Sequence, residues 1–330
     1  MASTIIKTDL WFKYLLVCPR CQGPLEDRLI EGNPFLQCSN VDCSKQYPIY
    51  NQVPILIDDE RSIFSIQGIL SDQNTFFSGS DEKERSVKKY IRQRVLPSLG
   101  GDLISDKLLR GLVKALEHFE KPIILVVGKG SDDNYLRPLW AVPNSRLLTS
   151  DVVSGFGSDI VCDSHALPLG RASVDCLVIT HVLEHVLDPA LAVDEVWRVL
   201  KPGGYVYSVI PFVFPLHAPL HDFQRFTNLG HRLLFKDFAL VDLQVQMGTG
   251  SALAYMAQAF ILQYILNRYL RWVLAGCARL LFFWLKYFDW MAKEELRKAA
   301  CGSTVFVGRK LQEKRSRVEC YREYASEKVI

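Results

Sequence analysis

Charge of one sign is in short supply in this chain: 39 Lys and Arg stand against 36 Asp and Glu, a formal net charge of +3. Counterion-driven binding to a phosphate backbone needs many cations gathered on one face, so nucleic acid is not expected as the main partner. Unbroken apolar runs of membrane-spanning length are missing too. The most apolar stretches, LAYMAQAFILQYIL and ARLLFFWLKYF, are interrupted by Gln258, Gln263 and arginines. No cleavage signature follows the opening MASTIIKTDLWFKYLL, whose apolar residues are broken by Lys7, Asp9 and Lys13, so a secretory signal is not read and a cytoplasmic location is expected. No internal repeat is visible. What is present is 330 residues that are 49% hydrophobic and 23% charged, enough for one large buried core and a small second domain.

Nine cysteines would suggest disulfides in a short secreted chain, but four gather near the N-terminus and five are scattered, mostly in hydrophobic segments. Cys18 and Cys21 lie in VCPRC, and Cys38 and Cys43 in LQCSNVDC. Two close thiol pairs separated by a hairpin's length suit one tetrahedral zinc ion, and a fourth Cys leaves no open position for catalytic water. Residues 1–60 are therefore read as a ribbon holding structural zinc. The segment KQYPIYNQVPILI supplies a strand, a turn at Asn51 and Gln52, and a second strand ending at Ile57. From Leu15 to Ile57, with its paired cysteines followed by YPI and VPIL, the chain resembles the zinc-ribbon family of the small activator subunit of tRNA and protein methyltransferases. The resemblance implies a docking or stabilising module. Residues 61–105 read as a linker, with one amphipathic helix carrying Val87, Tyr90 and Ile91.

Residues 106–330 alternate between helical and strand patterns. A helix face at Leu108, Leu112, Leu116 and Phe119 precedes the strand IILVV, and further strands are expected at 147–149, 160–162, 176–179 and 205–209. Such alternation predicts an α/β fold, a mostly parallel sheet with helices on both faces and ligands bound outside the carboxyl ends of the strands. Those ends carry Gly128, Lys129 and Gly130; Asp151, placed for ribose hydroxyls; and Asp163 with Ser164 and His165, placed for an adenine edge. Either carboxylate would equally serve as a cap or turn residue. Asp188 is read as the cap of a helix with Pro189 at its first position, a buried face at Ala192, Val196, Val199 and Leu200, and an end at Gly203 or Gly204.

The stretch from Ile123 to Pro211 resembles class I S-adenosylmethionine-dependent methyltransferases of the group that includes quinone and small-molecule methyltransferases. The resemblance rests on the acidic residue before ALPL, Asp175 before a hydrophobic strand, LEH, and WRVLKPGG. It implies a Rossmann-like sheet of seven strands with S-adenosylmethionine lined by Gly128, Lys129, Gly130, Asp151, Asp163, Ser164, Thr180 and His181. Val126 and Asp132 stand where the family has an acidic residue and a third glycine. Asp132 and Asp133 also crowd the loop against a pyrophosphate, which disfavours a dinucleotide such as NAD.

Methyl transfer needs an aligned acceptor and a group to take its proton. After the fifth strand, PFVFPLHAPLHDFQRFT offers His217 or His221 as the base, with Asp222 beside them; the alternative is a structural loop in which Asp222 and Arg225 pair. His181 and His185 either face the site or fill the core. The run His217, Pro219, Asp222, Arg225, Phe226 and Thr227 resembles methyltransferases found with glycan and polysaccharide biosynthesis enzymes, which implies a glycan or small-molecule acceptor.

The last two strands are expected at 239–245 and 304–307, separated by a helical insertion at 251–300 with no Asp or Glu between Ser251 and Phe288. It is read either as a hairpin packed on the core or on a second copy in a homodimer, or as a peripheral membrane contact through 251–290 using Trp272, Trp284 and Trp290. The tail RKLQEKRSRVECYREYASEK reads as charged and solvated. Two other functions compete: a scaffold with a degenerate cofactor loop, favoured by Val126, and a nucleic-acid methyltransferase, disfavoured by the absence of a basic patch around the catalytic loops.

Overall fold

The computed structural model of the chain describes residues 10–71, 96–130, 134–154, 157–218 and 220–326. The expected helix around Val87, Tyr90 and Ile91 lies outside them, as do Lys7, Asp9, Asp132, Asp133 and Pro219. Strands β1 (Leu25–Ile30), β2 (Asn33–Cys38), β3 (Gln46–Tyr50) and β4 (Val53–Leu56) form an antiparallel ribbon. Its last hairpin turns at Asn51 and Gln52, both at positive φ, the backbone that a tight two-residue turn demands.

The main sheet contains β5 (Ile123–Val127), β6 (Arg146–Asp151), β7 (Ile160–Cys162), β8 (Val174–Thr180), β9 (Leu200–Pro211), β10 (Phe238–Met247) and β11 (Ser303–Lys310), in the order β7-β6-β5-β8-β9-β11-β10. All neighbours from β7 to β9 are parallel, and β11 enters antiparallel between β9 and β10. Alternate residues of β5 face opposite layers. Leu125 and Val127 pack with Ala192, Val193, Val196 and Val199 of the helix Pro189–Val199. Ile124 and Val126 pack with Leu109, Leu112 and Leu116 of the helix Ser105–Leu116.

The sheet does not stop at the expected seven strands. β4 pairs in parallel with β7 through Ile55 opposite Val161 and Leu56 opposite Cys162, so ribbon and core share one eleven-stranded sheet. A second seam lies nearby, where the Val17 amide donates to the Pro168 carbonyl at 3.0 Å and the Gly170 amide to the Leu15 carbonyl at 2.9 Å. Leu16, Leu36, Tyr47 and Leu56 of the ribbon are buried in the same cluster as Leu169, Leu177 and Ile179. The ribbon's apolar surface is thus completed by the main domain, which answers the shortage of core that a segment this small faces alone.

Several residues singled out in the sequence turn out to hold the frame. The Asp175 carboxylate accepts the Ile123 amide at 2.9 Å and pairs with Lys201 at 2.8 Å, tying the start of β5 to β8 and β9. Arg198 donates to the carbonyls of Leu167 and Leu169 at 2.8 and 2.7 Å while pairing with Glu195. Asp188 caps its helix as read, accepting from the amides of Ala190 and Leu191. The helix ends at Val199, however, not at Gly203 or Gly204: Leu200 already pairs with Val174, and Pro202 keeps the residue before it out of helical geometry.

The tail is not solvated throughout, as the sequence suggested. The helix Arg317–Ser326 buries Cys320, and its Glu323 pairs with Arg232 at 2.8 Å and Arg315 at 2.6 Å. Arg232 is only 1% exposed, so its charge needs that carboxylate.

Between β10 and β11, the helices Thr249–Leu262 and Arg268–Phe282 form the expected hairpin. Buried Asp289 closes it by accepting from the amides of Gly250 and Ser251 and from the Ser251 hydroxyl. Its outer surface exposes Phe260, Tyr264, Trp272, Trp284 and Trp290. Among the described residues, no helix is long and apolar enough to cross a membrane.

His231 sits fully buried under β9 and β11, with Nδ1 2.8 Å from Thr304 Oγ1 and Nε2 3.1 Å from Ser208 Oγ. Burial drives its pKa down to about 3 from an ordinary 6.5. The unfolded chain therefore takes up a proton below pH 6.5 that the folded chain refuses, and stability present above pH 6.5 is lost as pH falls toward 3. The expected slope from this one residue is about 1.4 kcal/mol per pH unit. Urea unfolding at several pH values checks it: His231→Gln, which keeps hydrogen-bonding capacity but does not titrate, should flatten the acid limb, and an unchanged limb would refute the assignment.

Candidate functional site

The carboxyl ends of β5, β6 and β8 lie side by side on one edge of the sheet. Gly128 and Gly130 take φ of +73° and +65° as the chain leaves β5, and the amides of Gly128 and Lys129 both donate to the Ser150 carbonyl. A Cβ on Gly128 would fall 2.2 Å from Val182 Cγ2, so only glycine fits there; one on Gly130 would meet nothing within 4 Å, which leaves room for a ligand at that point. The Asp151 carboxylate accepts the Gly130 amide at 2.8 Å and the Val153 amide at 3.1 Å, binding the end of β6 to the glycine loop. Burial pushes its pKa up from the ordinary value, with those amides opposing the shift. Val126 is fully buried in the strand, so it presents no side chain to this edge.

Asp163, expected beside an adenine, spends its oxygens inside the protein. Oδ1 lies 2.7 Å from His165 Nδ1 and accepts the His165 amide, and Oδ2 accepts the Ser62 hydroxyl from across the ribbon junction. Burial alone would raise this carboxyl, yet the His165 and Ser62 contacts hold it below its usual value, and the same pairing raises His165. Ser164 is buried beside it, and Thr180 ends β8 half-buried.

Beyond Thr180 the chain enters the left-handed region at His181, φ +54°, and then folds back so that Glu184 lies beneath three imidazoles. Glu184 Oε1 is 3.6 Å from His181 Nδ1, 3.7 Å from His185 Nε2 and 3.9 Å from His217 Nε2. The loop after β9 brings His217 there because the Phe223 amide donates to the Glu184 carbonyl at 2.8 Å. Asp222, with its side chain fully buried, accepts the His217 amide at 3.1 Å and is clasped by Arg225, the loop pair considered from sequence. Burial would raise Asp222, but Arg225 and the His217 amide keep it below the ordinary value. Burial first, and His185 second, lower His217. His221 packs its ring flat against Phe64 at 5.9 Å, and its carbonyl lies 2.7 Å from His185 Nδ1. Of the residues proposed for proton transfer, His217 and Asp222 thus join the cluster directly, while His221 contributes its backbone. Glu184 was missed as a functional candidate, although its adjacency to His185 and a later lone His217 was readable as a signal.

In the ribbon, Cys18 Sγ lies 3.7 Å from Cys43 Sγ and Cys21 Sγ 3.4 Å from Cys38 Sγ, with all four sulfurs within 4.8 Å of one another. A tetrahedron with zinc–sulfur bonds of about 2.3 Å has edges near 3.8 Å, which these separations fit.

Residues 146–208 match a family described as "Methyltransferase domain". The chain is 35% identical over 93 residues to a ubiquinone/menaquinone biosynthesis C-methyltransferase of Xanthomonas axonopodis pv. citri, covering 28% of this chain and 36% of that protein. It is 55% identical over 42 residues to a 37.1 kDa protein in transposon TN4556 of Streptomyces fradiae, covering 13% of this chain and 12% of that one. The chain thus spans about a third or less of the curated relatives it matches. Among solved structures it is similar to phosphoethanolamine N-methyltransferase 2 of Haemonchus contortus in complex with S-adenosyl-L-methionine, at TM-score 0.39 and 14% identity over 61% of this chain and 53% of that one. The matched segment, residues 146–208, runs from β6 into β9 of the main sheet, so it is over these strands that the chain is similar to the methyltransferase domain family.

Proposed function

We propose that this protein transfers a methyl group from S-adenosylmethionine to a hydroxyl oxygen of a saccharide, glycolipid or small metabolite, and that its four paired cysteines hold one structural zinc ion. The observation that carries the reading is the junction of two sites on one sheet edge. The Gly128–Gly130 turn and Asp151 form a cradle for a nucleoside, and the Glu184, His185 and His217 cluster begins four residues past the end of β8. In that cradle Asp151 would accept from the ribose hydroxyls, while the bare backbone at Gly130 lets the ligand approach closely.

The reaction itself asks little of the protein. The acceptor oxygen attacks the methyl carbon in line as the carbon–sulfur bond breaks, and the hydroxyl proton must leave. The histidine cluster gives the acceptor a polar anchor where the methyl group is expected. Membrane contact through the helical hairpin accords with a lipid-linked acceptor, since its exposed tryptophans stand with Arg271 and Lys286 in the combination that suits the headgroup region.

Calorimetric titration of zinc-loaded protein with S-adenosylmethionine and with NAD, followed by a methyl-transfer screen over hydroxyl-bearing acceptors, tests the proposal. Binding of S-adenosylmethionine at micromolar levels with none of NAD is expected. A folded sample that binds neither would favour a scaffold, and one that binds NAD alone would make the domain something other than a methyltransferase.

A further inference from the structure

Glu184 is fully buried, and among the described residues neither of its carboxylate oxygens receives a hydrogen bond. A buried carboxylate left so costs several kcal/mol, so some partner is called for. The groups aimed at it are nitrogens. His185 Nδ1 lies 2.7 Å from the His221 carbonyl, which only accepts, so Nδ1 carries the proton and Nε2 presents a lone pair. His217 Nδ1 lies 3.3 Å from the Asp222 carboxylate, which assigns its proton in the same way. The two Nε2 atoms then face each other at 3.0 Å, with Glu184 Oε1 3.7 and 3.9 Å away.

A single proton shared between the two rings would satisfy the nitrogens and leave Glu184 with no nearer imidazole than His181, whose Nδ1 at 3.6 Å is beyond hydrogen-bond reach. A divalent cation satisfies all three. Two nitrogens each about 2.0–2.1 Å from one ion stand roughly 3.0–3.4 Å apart, and the observed separation falls at the short end of that range. The carboxylate oxygen needs to close by about half an ångström, within reach of a Glu rotamer. The outer partners are also those of a metal site: one ligand imidazole is oriented by a backbone carbonyl, the other by a carboxylate that Arg225 holds in place.

We propose that Glu184, His185 and His217 bind one divalent transition-metal ion, with an open coordination position for the acceptor oxygen. Two imidazoles and one carboxylate suit manganese, iron, cobalt or zinc better than calcium or magnesium, which favour all-oxygen sites. Three protein ligands leave room for an exogenous oxygen, and the side chain of His217 is 35% exposed, so the site opens to solvent on that side. His217 is then a ligand, not a base. The ion lowers the pKa of the bound hydroxyl, its proton passes to water, and the oxygen forms its bond to the methyl carbon as the carbon–sulfur bond breaks. That last step rests on the methyltransferase reading; binding of the ion does not.

The experiment is a titration of the full-length chain, prepared with only the one equivalent of zinc that the ribbon takes, with Mn2+, following free Mn2+ by electron paramagnetic resonance and total metal by mass spectrometry. Thiolates do not favour Mn2+, so the ribbon should keep its zinc. One Mn2+ per chain is expected for the wild type, with affinity at least about tenfold weaker in His217→Ala and in Glu184→Gln. S-adenosylmethionine binding and circular dichroism report whether each variant is folded, and His217, at the surface, is the safer of the two. No Mn2+, Co2+ or Zn2+ bound beyond the ribbon zinc at about millimolar concentration, or binding indifferent to both substitutions, would overturn the proposal. Metal binding without S-adenosylmethionine binding would support the site and count against the methyltransferase reading; the reverse result would do the opposite.

Discussion

Serine at Cys38 is expected to cost the protein its zinc and to unfold β1–β3. Cys38 is buried at the end of β2, 3.4 Å from Cys21 across the cluster. A structural zinc site supplies folding free energy of roughly 10 kcal/mol in isolated small domains. Here the loss is smaller, because Leu36, Tyr47 and Leu56 also rest on the main core. Several kcal/mol should still disappear, read as a metal content falling from one zinc to none, a thermal midpoint lowered by about 10 °C or more, and new protease sites in residues 25–50. Cys277, exposed in the helical hairpin, supplies the control: Cys277→Ser should leave all three readings unchanged. If Cys38→Ser keeps its zinc and its midpoint, the four thiols are not a metal site.

The second large effect is expected at Asp151. Alanine there removes the acceptor for the Gly130 and Val153 amides as well as the proposed contact to the ribose hydroxyls. A hydrogen bond to a charged group contributes about 1.5–3 kcal/mol, so two lost ribose contacts should weaken S-adenosylmethionine binding by roughly a hundredfold or more. Asp151→Asn, which keeps the shape and one acceptor, should fall between the wild type and Asp151→Ala. Calorimetry on the three proteins decides it, and an Ala variant within about threefold of wild type would remove Asp151 from the cofactor site.

Much of the fold was legible in the sequence. Apolar runs bounded by turn residues located the strands, because a strand buried on both faces writes itself as a continuous hydrophobic stretch. The spacing of the paired cysteines anticipated that their four sulfurs come together, and Asp151 ends its strand as read. What escaped depended on contacts between distant segments. Nothing in VPIL announces that its partner is IVC, more than a hundred residues later, since any short apolar strand can add to an open edge. The contacts of Ser62 and His165 with the Asp163 carboxylate were likewise invisible, the first because it spans about a hundred residues of chain. Glu184 and His185 read as part of the frame because LEH belongs to a segment whose other residues, such as Asp188 and Arg198, are indeed architectural. Their other meaning arises only when the loop after β9 returns and sets His217 against them.

The joint between β4 and β7 has a bearing on how the protein is made. A ribbon carried on a separate subunit would have to find its sheet edge by diffusion, and its occupancy would follow the supply of both polypeptides. Here the two strands are drawn from one polypeptide, at an effective concentration fixed by the intervening chain. Every molecule translated brings one ribbon for one domain, so neither imbalance of expression nor dilution in the cell can leave the edge of β7 uncovered.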